Sequence, residues 1–254
     1  MNLNMICLDL NLPALTLWGH QRRLGEDYRY LVHAATRKIF GDMAPQPFLV
    51  QEEKSRILGY TTADEMQYRD RFSKFFAEAS DDAVLSAAFS IPEICIRAMP
   101  CEWKEGSRYR FSVFCRPMAR MGKAESDVWL LKNYCAFKEA EEKGTFRGTP
   151  AEYRRPHKGE KEEVYKQWLR RRFVDAAELQ DMVITGSRTA FLTTRSQKDH
   201  TGAPVRSKRR SYPETTFTGN LCVTHPEAFE RLLRRGVGRH CAFGFGMLLL
   251  KTVL

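Results

Sequence analysis

Arg29, His33 and Arg37 recur at intervals of four, so they share one face if the segment around them is helical. Leu31, Ala35 and Ile39 would then lie on the opposite side. An imidazole between two guanidiniums is held below its ordinary pKa, because the neighbouring positive charges disfavour a third. Such a histidine is neutral near pH 7 and suited to accepting a proton. Taken alone, the same spacing also describes an ordinary solvated basic face. His20, Arg22 and Arg23 precede the stretch in what reads as a loop, and could also reach a phosphate bound beside it.

A second cluster lies near the C-terminus. Gly236-Val237-Gly238 and Gly244-Phe245-Gly246 are separated by five residues that include Arg239 and His240. Glycines at this density allow positive φ and close approach to a ligand, and successive N–H groups in such a loop can cradle phosphate oxygens. No Lys-Ser or Lys-Thr follows, which argues against a Walker loop and nucleoside triphosphate binding. Gly236, Gly238, Arg239, Gly244 and Gly246 are therefore candidate phosphate contacts. His240 is a second candidate proton carrier.

The whole chain carries charge to match. Its 254 residues hold 41 Lys and Arg against 31 Asp and Glu, a formal charge of +10, which favours a polyanionic partner. Two segments concentrate that charge. One contains Arg147, Arg154, Arg155 and Lys158 and runs into Lys161, Lys166, Arg170, Arg171 and Arg172; the other, Arg195 to Tyr212, contains Lys198, Arg206, Lys208, Arg209 and Arg210. The seven cysteines show no C-x-x-C pair and no metal-ligand spacing, and most sit among apolar neighbours and read as reduced core thiols, with no metal and no cofactor expected. That usage suits a cytoplasmic protein. The start lacks a basic region followed by a long apolar run, so no signal peptide is expected, and Met247 to Leu250 is too short to span a bilayer.

The elements that must position these clusters follow from periodicity. Leu3 to Leu10 is apolar on both faces, a buried strand. Glu26 to Phe40 reads as a helix with the core stripe Tyr28, Leu31, Val32, Ala35 and Ile39. Pro47 to Glu52 and Arg56 to Thr61 form two short strands. Thr62-Ala63-Asp64-Glu65 has the pattern of a capping box and opens a helix to about Glu78, and Ala87 to Arg97 is a further strand. The second half repeats the order: strand Arg108 to Arg116, helix Glu160 to Phe173, strands Met182 to Thr194 and Phe217 to Val223, helix from Pro226 to Arg235, strand Ala242 to Val253. Two β-α-β-β-α-β units in tandem predict an α+β protein of two ferredoxin-like domains, residues 1–104 and 105–254. A helical finger with a basic face interrupts the second at about 120–172; its helix Asp127 to Lys143 stops at Gly144. Arg195 to Tyr212 joins two strands as a long basic hairpin or loop.

The glycine pattern, placed between the last helix and last strand of such a unit, resembles that of the CRISPR RNA-processing endoribonucleases of the repeat-associated mysterious protein superfamily. Three further stretches are similar to the type I-E Cascade group: Tyr30-Leu31-Val32-His33 with Phe40 and Phe48-Leu49-Val50; Gly106 to Phe111 with Arg116-Pro117; and Phe217 to Leu221 with Pro226. The resemblance spans most of the chain except the finger, whose length departs from the compact type I-E pattern towards a type IV counterpart.

The resemblance implies metal-independent cleavage of CRISPR precursor RNA within the repeat, leaving a 2′,3′-cyclic phosphate. The protein would retain the repeat stem-loop and join the other subunits of a Cascade-like effector complex. It implies His33 as the acid/base residue, with Tyr30 beside it, and Arg22, Arg23, Arg37 and Arg239 as the alternative set if arginines carry the step, as in type IV relatives. His240, unlike the family's usual residues in that loop, is a rival for the acid. Arg22, Arg29, Arg154, Arg155, Arg170, Arg171, Arg206, Lys208, Arg209 and Arg210 would bind RNA together with the glycine loop, the hairpin entering the groove of the stem by shape and phosphate contacts. The alternative is a non-catalytic RNA-binding subunit of the same complex.

Overall fold

The computed structural model describes residues 3–25, 27–78, 82–89, 94–122, 124–193 and 209–253. The first unit contains β1 (Asn4–Asp9), α1 (Leu12–Gln21), α2 (Tyr28–Phe40), β2 (Phe48–Gln51), β3 (Arg56–Thr61), α3 (Glu65–Glu78), α4 (Ala83–Ser86) and β4 (Cys95–Ala98). Its strands form one antiparallel sheet in the order β2-β3-β1-β4, the ferredoxin-like arrangement. The second unit contains β5 (Arg108–Cys115), β6 (Met118–Met121), β7 (Ala124–Asp127), α5 (Val128–Glu142), α6 (Pro150–Arg154), α7 (Lys161–Phe173), β8 (Ala177–Thr193), β9 (Arg209–Val223), α8 (Pro226–Arg235) and β10 (Leu248–Thr252). Its main sheet runs β10-β5-β9-β8, the same permutation counted from β5. The fold is α+β with two ferredoxin-like units in tandem, as the repeated element order predicts.

Strand β1 is apolar on both faces because it serves two cores. Ile6 and Leu8 pack with Leu31, Val32, Ala35 and Ile39 of α2, while Leu3 and Met5 join the core built on β5, β9 and α7. Tyr60 of β3 crosses between the units, its hydroxyl donating to the Leu248 carbonyl at 2.7 Å. The site therefore forms between two sheets tied by buried side chains. Among the described residues no helix is long and apolar enough to cross a membrane.

Several elements depart from the periodicity. Helix α1 occupies a stretch read as loop: Asn11 caps it by accepting from the Ala14 N–H at 3.1 Å, a proline suits its first turn, and Leu15 and Trp18 are buried. His20 thus sits in the last turn of a helix. The reciprocal cap of α3 lies two residues later than the capping pattern, with Asp64 accepting from Gln67 N–H at 2.8 Å and Gln67 from Asp64 N–H at 2.9 Å. The strand read from Ala87 is the short β4 preceded by α4, and the strand read from Ala242 begins only at Leu248. Strands β8 and β9 are longer than their alternation suggests. Register shifts between Gln180 and Val183 and between Ile184 and Gly186 break the period of β8, and Pro213 masks the first half of β9. Arg209 to Tyr212 are therefore strand, and the rest of the expected basic hairpin, including Lys198, Arg206 and Lys208, lies outside the described residues. The insertion opens with the antiparallel pair β6-β7, and α5 docks through buried Trp129 and Phe137. Of the seven cysteines only Cys115 and Cys241 are buried, so the expectation of core thiols fails for exposed Cys95, Cys101 and Cys135.

Candidate active site

Helix α2 and the glycine-rich segment meet face to face. Asp27 caps α2, its carboxylate accepting the Arg29 N–H at 3.1 Å. Burial of Leu31, Val32, Ala35 and Ile39 fixes the helix rotation and turns Tyr30 and His33 towards residues 236–246. That segment folds back on itself: Val237 N–H donates to the Gly246 carbonyl at 2.8 Å, and Gly246 N–H to the Phe114 carbonyl at 2.7 Å. Between them a single 3-10 turn, Cys241–Phe243, is flanked by His240 (φ 64°) and Gly244 (φ 80°) in the left-handed region. The turn presents Phe243 to the helix. Its ring lies 4.7 Å from the His33 imidazole and stacks on Tyr30 at 6.2 Å and 17°.

His33 is held below its ordinary pKa first by burial against this turn and next by the charge of Arg37, with a backbone hydrogen bond at Ala242 opposing them. Burial replaces the flanking-guanidinium explanation for one of the two arginines, because Arg29 turns away. Its guanidinium enters the cleft between the sheets, 4.6 Å from the Tyr28 ring centre, 5.3 Å from Phe114 and 5.5 Å from Phe245, and pairs with Glu52 at 3.3 Å. Its side chain is only 11% exposed. The cleft has a volume of about 410 Å³ and is lined by Leu49, Val50, Met247, Arg188 and Glu214.

A carboxylate with no counterpart in the sequence reading braces the glycine loop. Glu125 of β7 takes Arg239 Nε and a terminal guanidinium nitrogen on one oxygen, at 2.7 and 2.6 Å, and His240 Nε2 on the other at 3.0 Å. Among the described residues the opposite ring nitrogen of His240 is buried without a partner, and the imidazole meets Tyr212 edge-on at 5.8 Å. Burial lowers the His240 pKa, Arg116 lowers it further, and Glu125 pulls it up. His240 is thus engaged with Glu125 through one nitrogen and enclosed at the other. Only the tertiary fold brings β7 to the loop, so no sequence pattern around Glu125 marks it.

Beneath the loop, Arg116 lies 4.0 Å from the Phe245 ring centre and 4.6 Å from that of Tyr212. It pairs with Glu214 at 2.6 Å, the two side chains being 5% and 2% exposed, and Arg188 takes the second Glu214 oxygen at 2.9 Å. Burial pushes the Glu214 carboxyl up, but the hydrogen bonds and charge of Arg116 and Arg188 outweigh it and hold it below the usual carboxylate range.

Tyr30, His33, Arg239, His240 and the glycines gather at this junction, with Arg37 close enough to act on His33. The remaining candidates are dispersed. Arg37 also pairs with Asp42 at 3.2 Å, and Arg22 pairs with Asp82 at 3.1 Å, a carboxylate that also accepts from Lys38 and from Trp18 Nε1. Arg23 is exposed with φ 54°. Arg154 lies over Trp129 at 5.7 Å, Arg170 pairs with Glu163 at 3.0 Å, and Arg155, Arg171 and Arg210 are exposed. Arg206 lies outside the described residues, as does Lys208, and Arg209 is described only as backbone of β9.

Residues 12–252 match the family described as CRISPR associated protein. No curated protein matches the chain. Among solved structures, Thermus thermophilus Cse3 bound to an RNA representing a pre-cleavage complex is similar at 17% identity and a TM-score of 0.55, covering 99% of this chain and 100% of its own. A structure of CRISPR endoribonuclease Cse3 bound to 19-nucleotide RNA aligns at 18% identity and 0.56, with 99% and 100% covered. The CRISPR-associated protein Cas6e from Escherichia coli K-12 aligns at 14% identity and 0.53, with both chains fully covered. At these identities the likeness establishes a shared fold.

Proposed function

The chain belongs to the CRISPR-associated protein family across residues 12–252, and from that premise we propose that it cuts CRISPR precursor RNA within the repeat, without metal, to release guide RNA. The observation that carries the proposal is the junction of α2 with the glycine loop: a half-buried His33 of lowered pKa lies beside backbone able to cradle a phosphate. The RNA-bound state of the similar Cse3 structures supports the same reading.

In this mechanism the 2′-hydroxyl upstream of the scissile phosphate attacks the phosphorus in line. Neutral His33 takes its proton, which its lowered pKa favours at pH 7. The phosphorus–5′-oxygen bond breaks, the 5′-oxygen leaves with a proton donated by Tyr30, and a 2′,3′-cyclic phosphate remains. N–H groups of the glycine loop and the Arg239 guanidinium hold the charge that builds on the phosphorane oxygens. Glu125 sets the position of that guanidinium. The hairpin formed by β8 and β9 grips the repeat stem, and the processed stem-loop stays bound as the protein joins a Cascade-like effector complex in the cytoplasm. Residues 1–104 and 105–254 act as the two domains of this enzyme.

The test is incubation with a stem-loop repeat RNA in EDTA. Cleavage should proceed and leave a cyclic phosphate, and one 2′-deoxy nucleotide upstream of the cut should abolish it. Product should plateau near one equivalent of enzyme. Efficient cutting of the deoxy substrate refutes the mechanism.

A further inference from the structure

A second basic feature lies outside the junction, in a groove of about 510 Å³ between α7 and α8. Arg172, Arg231 and Arg235 line it together with Arg234, and Ala176 and Ala228 leave it room. Asp175 is the one carboxylate on its wall. Arg234 is engaged by Glu230 at 2.6 Å and Arg231 more loosely by Glu227 at 3.6 Å. Among the described residues neither Arg172 nor Arg235 has a carboxylate partner.

Arg172 lies in the last turn of α7, and Arg234 and Arg235 lie in the last turn of α8, where each helix's own dipole favours a cation. The Ala176 carbonyl accepts from Thr224 and His225 N–H at 3.0 and 3.3 Å, so the end of α7 lies beside the start of α8. The Arg172 guanidinium instead reaches back over Trp168 towards Arg235 and Arg239 at the far end of α8. It is also crowded by its own kind: burial and then the charges of Arg235, Arg239 and Arg171 oppose its protonated form. Like charges held together in this way are relieved by a bound anion.

The groove continues from the glycine loop. A side chain at Gly238 would meet Trp168 of α7 at 2.9 Å, and the Arg172 guanidinium lies 5.3 Å from the centre of that same indole. Guanidiniums grip phosphate oxygens in pairs, and a slot between two helices admits one strand more readily than a duplex. Trp168 is buried and offers no stacking face, which leaves backbone recognition without base preference. We propose that the α7–α8 groove binds the phosphates of a single-stranded RNA segment flanking the stem, continuing the path that leaves the glycine loop. This rests on the RNA-processing reading above.

The experiment compares a stem-loop RNA carrying eight-nucleotide single-stranded tails on both ends with the same stem-loop trimmed flush, across a salt series. The variant combines Arg172→Gln, Arg231→Gln and Arg235→Gln, with the three-lysine variant as the control that keeps charge and fold. Each lost single-strand phosphate contact lowers the slope of log affinity against log salt by about 0.7, so the glutamine variant should lose up to about 2 on the tailed RNA and nothing on the trimmed one. The lysine variant should keep the wild-type slope. Equal slopes for wild type and the glutamine variant on tailed RNA would overturn the groove assignment and leave the function standing. An equal loss on the trimmed stem-loop would overturn the single-strand assignment. Wild-type protein that binds neither RNA would overturn the function and the groove together.

Discussion

Two glycines of the candidate phosphate loop have nearly the same backbone conformation but different surroundings, and alanine at each should separate conformational cost from collision. Gly244 has φ 80° and Gly246 φ 74°. An L-residue held in the left-handed region costs about 1–2 kcal/mol, so both alanine variants incur that much. At position 244 the added carbon would meet the Phe48 ring at 3.2 Å and the Arg29 side chain at 3.3 Å, groups that can move by a few tenths of an ångström. At position 246 it would meet the Val237 carbonyl oxygen at 2.4 Å and its nitrogen at 3.0 Å. Those are backbone atoms, and Val237 N–H is the donor that closes the loop onto Gly246. Relief requires breaking that bond and the one from Gly246 N–H to Phe114, each worth about 1 kcal/mol net. Gly244→Ala should therefore cost about 1–2 kcal/mol and Gly246→Ala about 3–4. For a chain of this size 1 kcal/mol corresponds to a Tm change of about 2–4 °C, so thermal unfolding followed by circular dichroism should place the variants several degrees apart. Cleavage should fall further in Gly246→Ala, because the Phe243 turn loses its anchor. Equal Tm values for the two variants would refute the reasoning, since the φ penalty alone would then explain both.

His33→Ala should slow single-turnover cleavage by about a hundredfold or more while leaving RNA affinity nearly unchanged; a wild-type rate would move proton transfer to another group. Cleavage should fall as pH drops through the lowered pKa of His33, because only the neutral imidazole accepts the proton, and Arg37→Gln should move that acid limb to higher pH by removing a charge that opposes protonation. An unmoved limb in the pH–rate profile would separate Arg37 from His33. Glu214→Gln should destabilise the protein by about 3–5 kcal/mol, because it leaves the Arg116 guanidinium buried with its charge unmatched, and urea unfolding reads this directly. The carboxyl's folded pKa lies below its unfolded value, so its contribution is present above the unfolded pKa and is lost as pH falls through the folded one. A wild-type unfolding midpoint for Glu214→Gln at pH 7 would show that the pair adds nothing.

Local sequence was enough for whatever depends on neighbours a few residues away. The stripe Leu31, Val32, Ala35 and Ile39 places His33 on the open side of α2 whatever packs there, because a helix repeats every 3.6 residues. The glycines at 236, 238, 244 and 246 all take positive φ, a conformation their own covalent geometry permits. The order of strands and helices, and with it the repeated ferredoxin-like arrangement, follows from the same short-range periods. Tertiary structure decided what lies beyond that range. Periodicity alone leaves Arg29 on the His33 face, yet the cleft between the sheets draws its guanidinium towards Phe114 and Phe245. Glu125 is 114 residues from Arg239 and meets it only because β7 folds back on the glycine loop. The bulges that hide the start of β8 and the cap that starts α1 likewise answer to partners across the fold. A helix face is set by bonds within one segment, whereas the identity of what meets that face is set by packing between segments that no local pattern records.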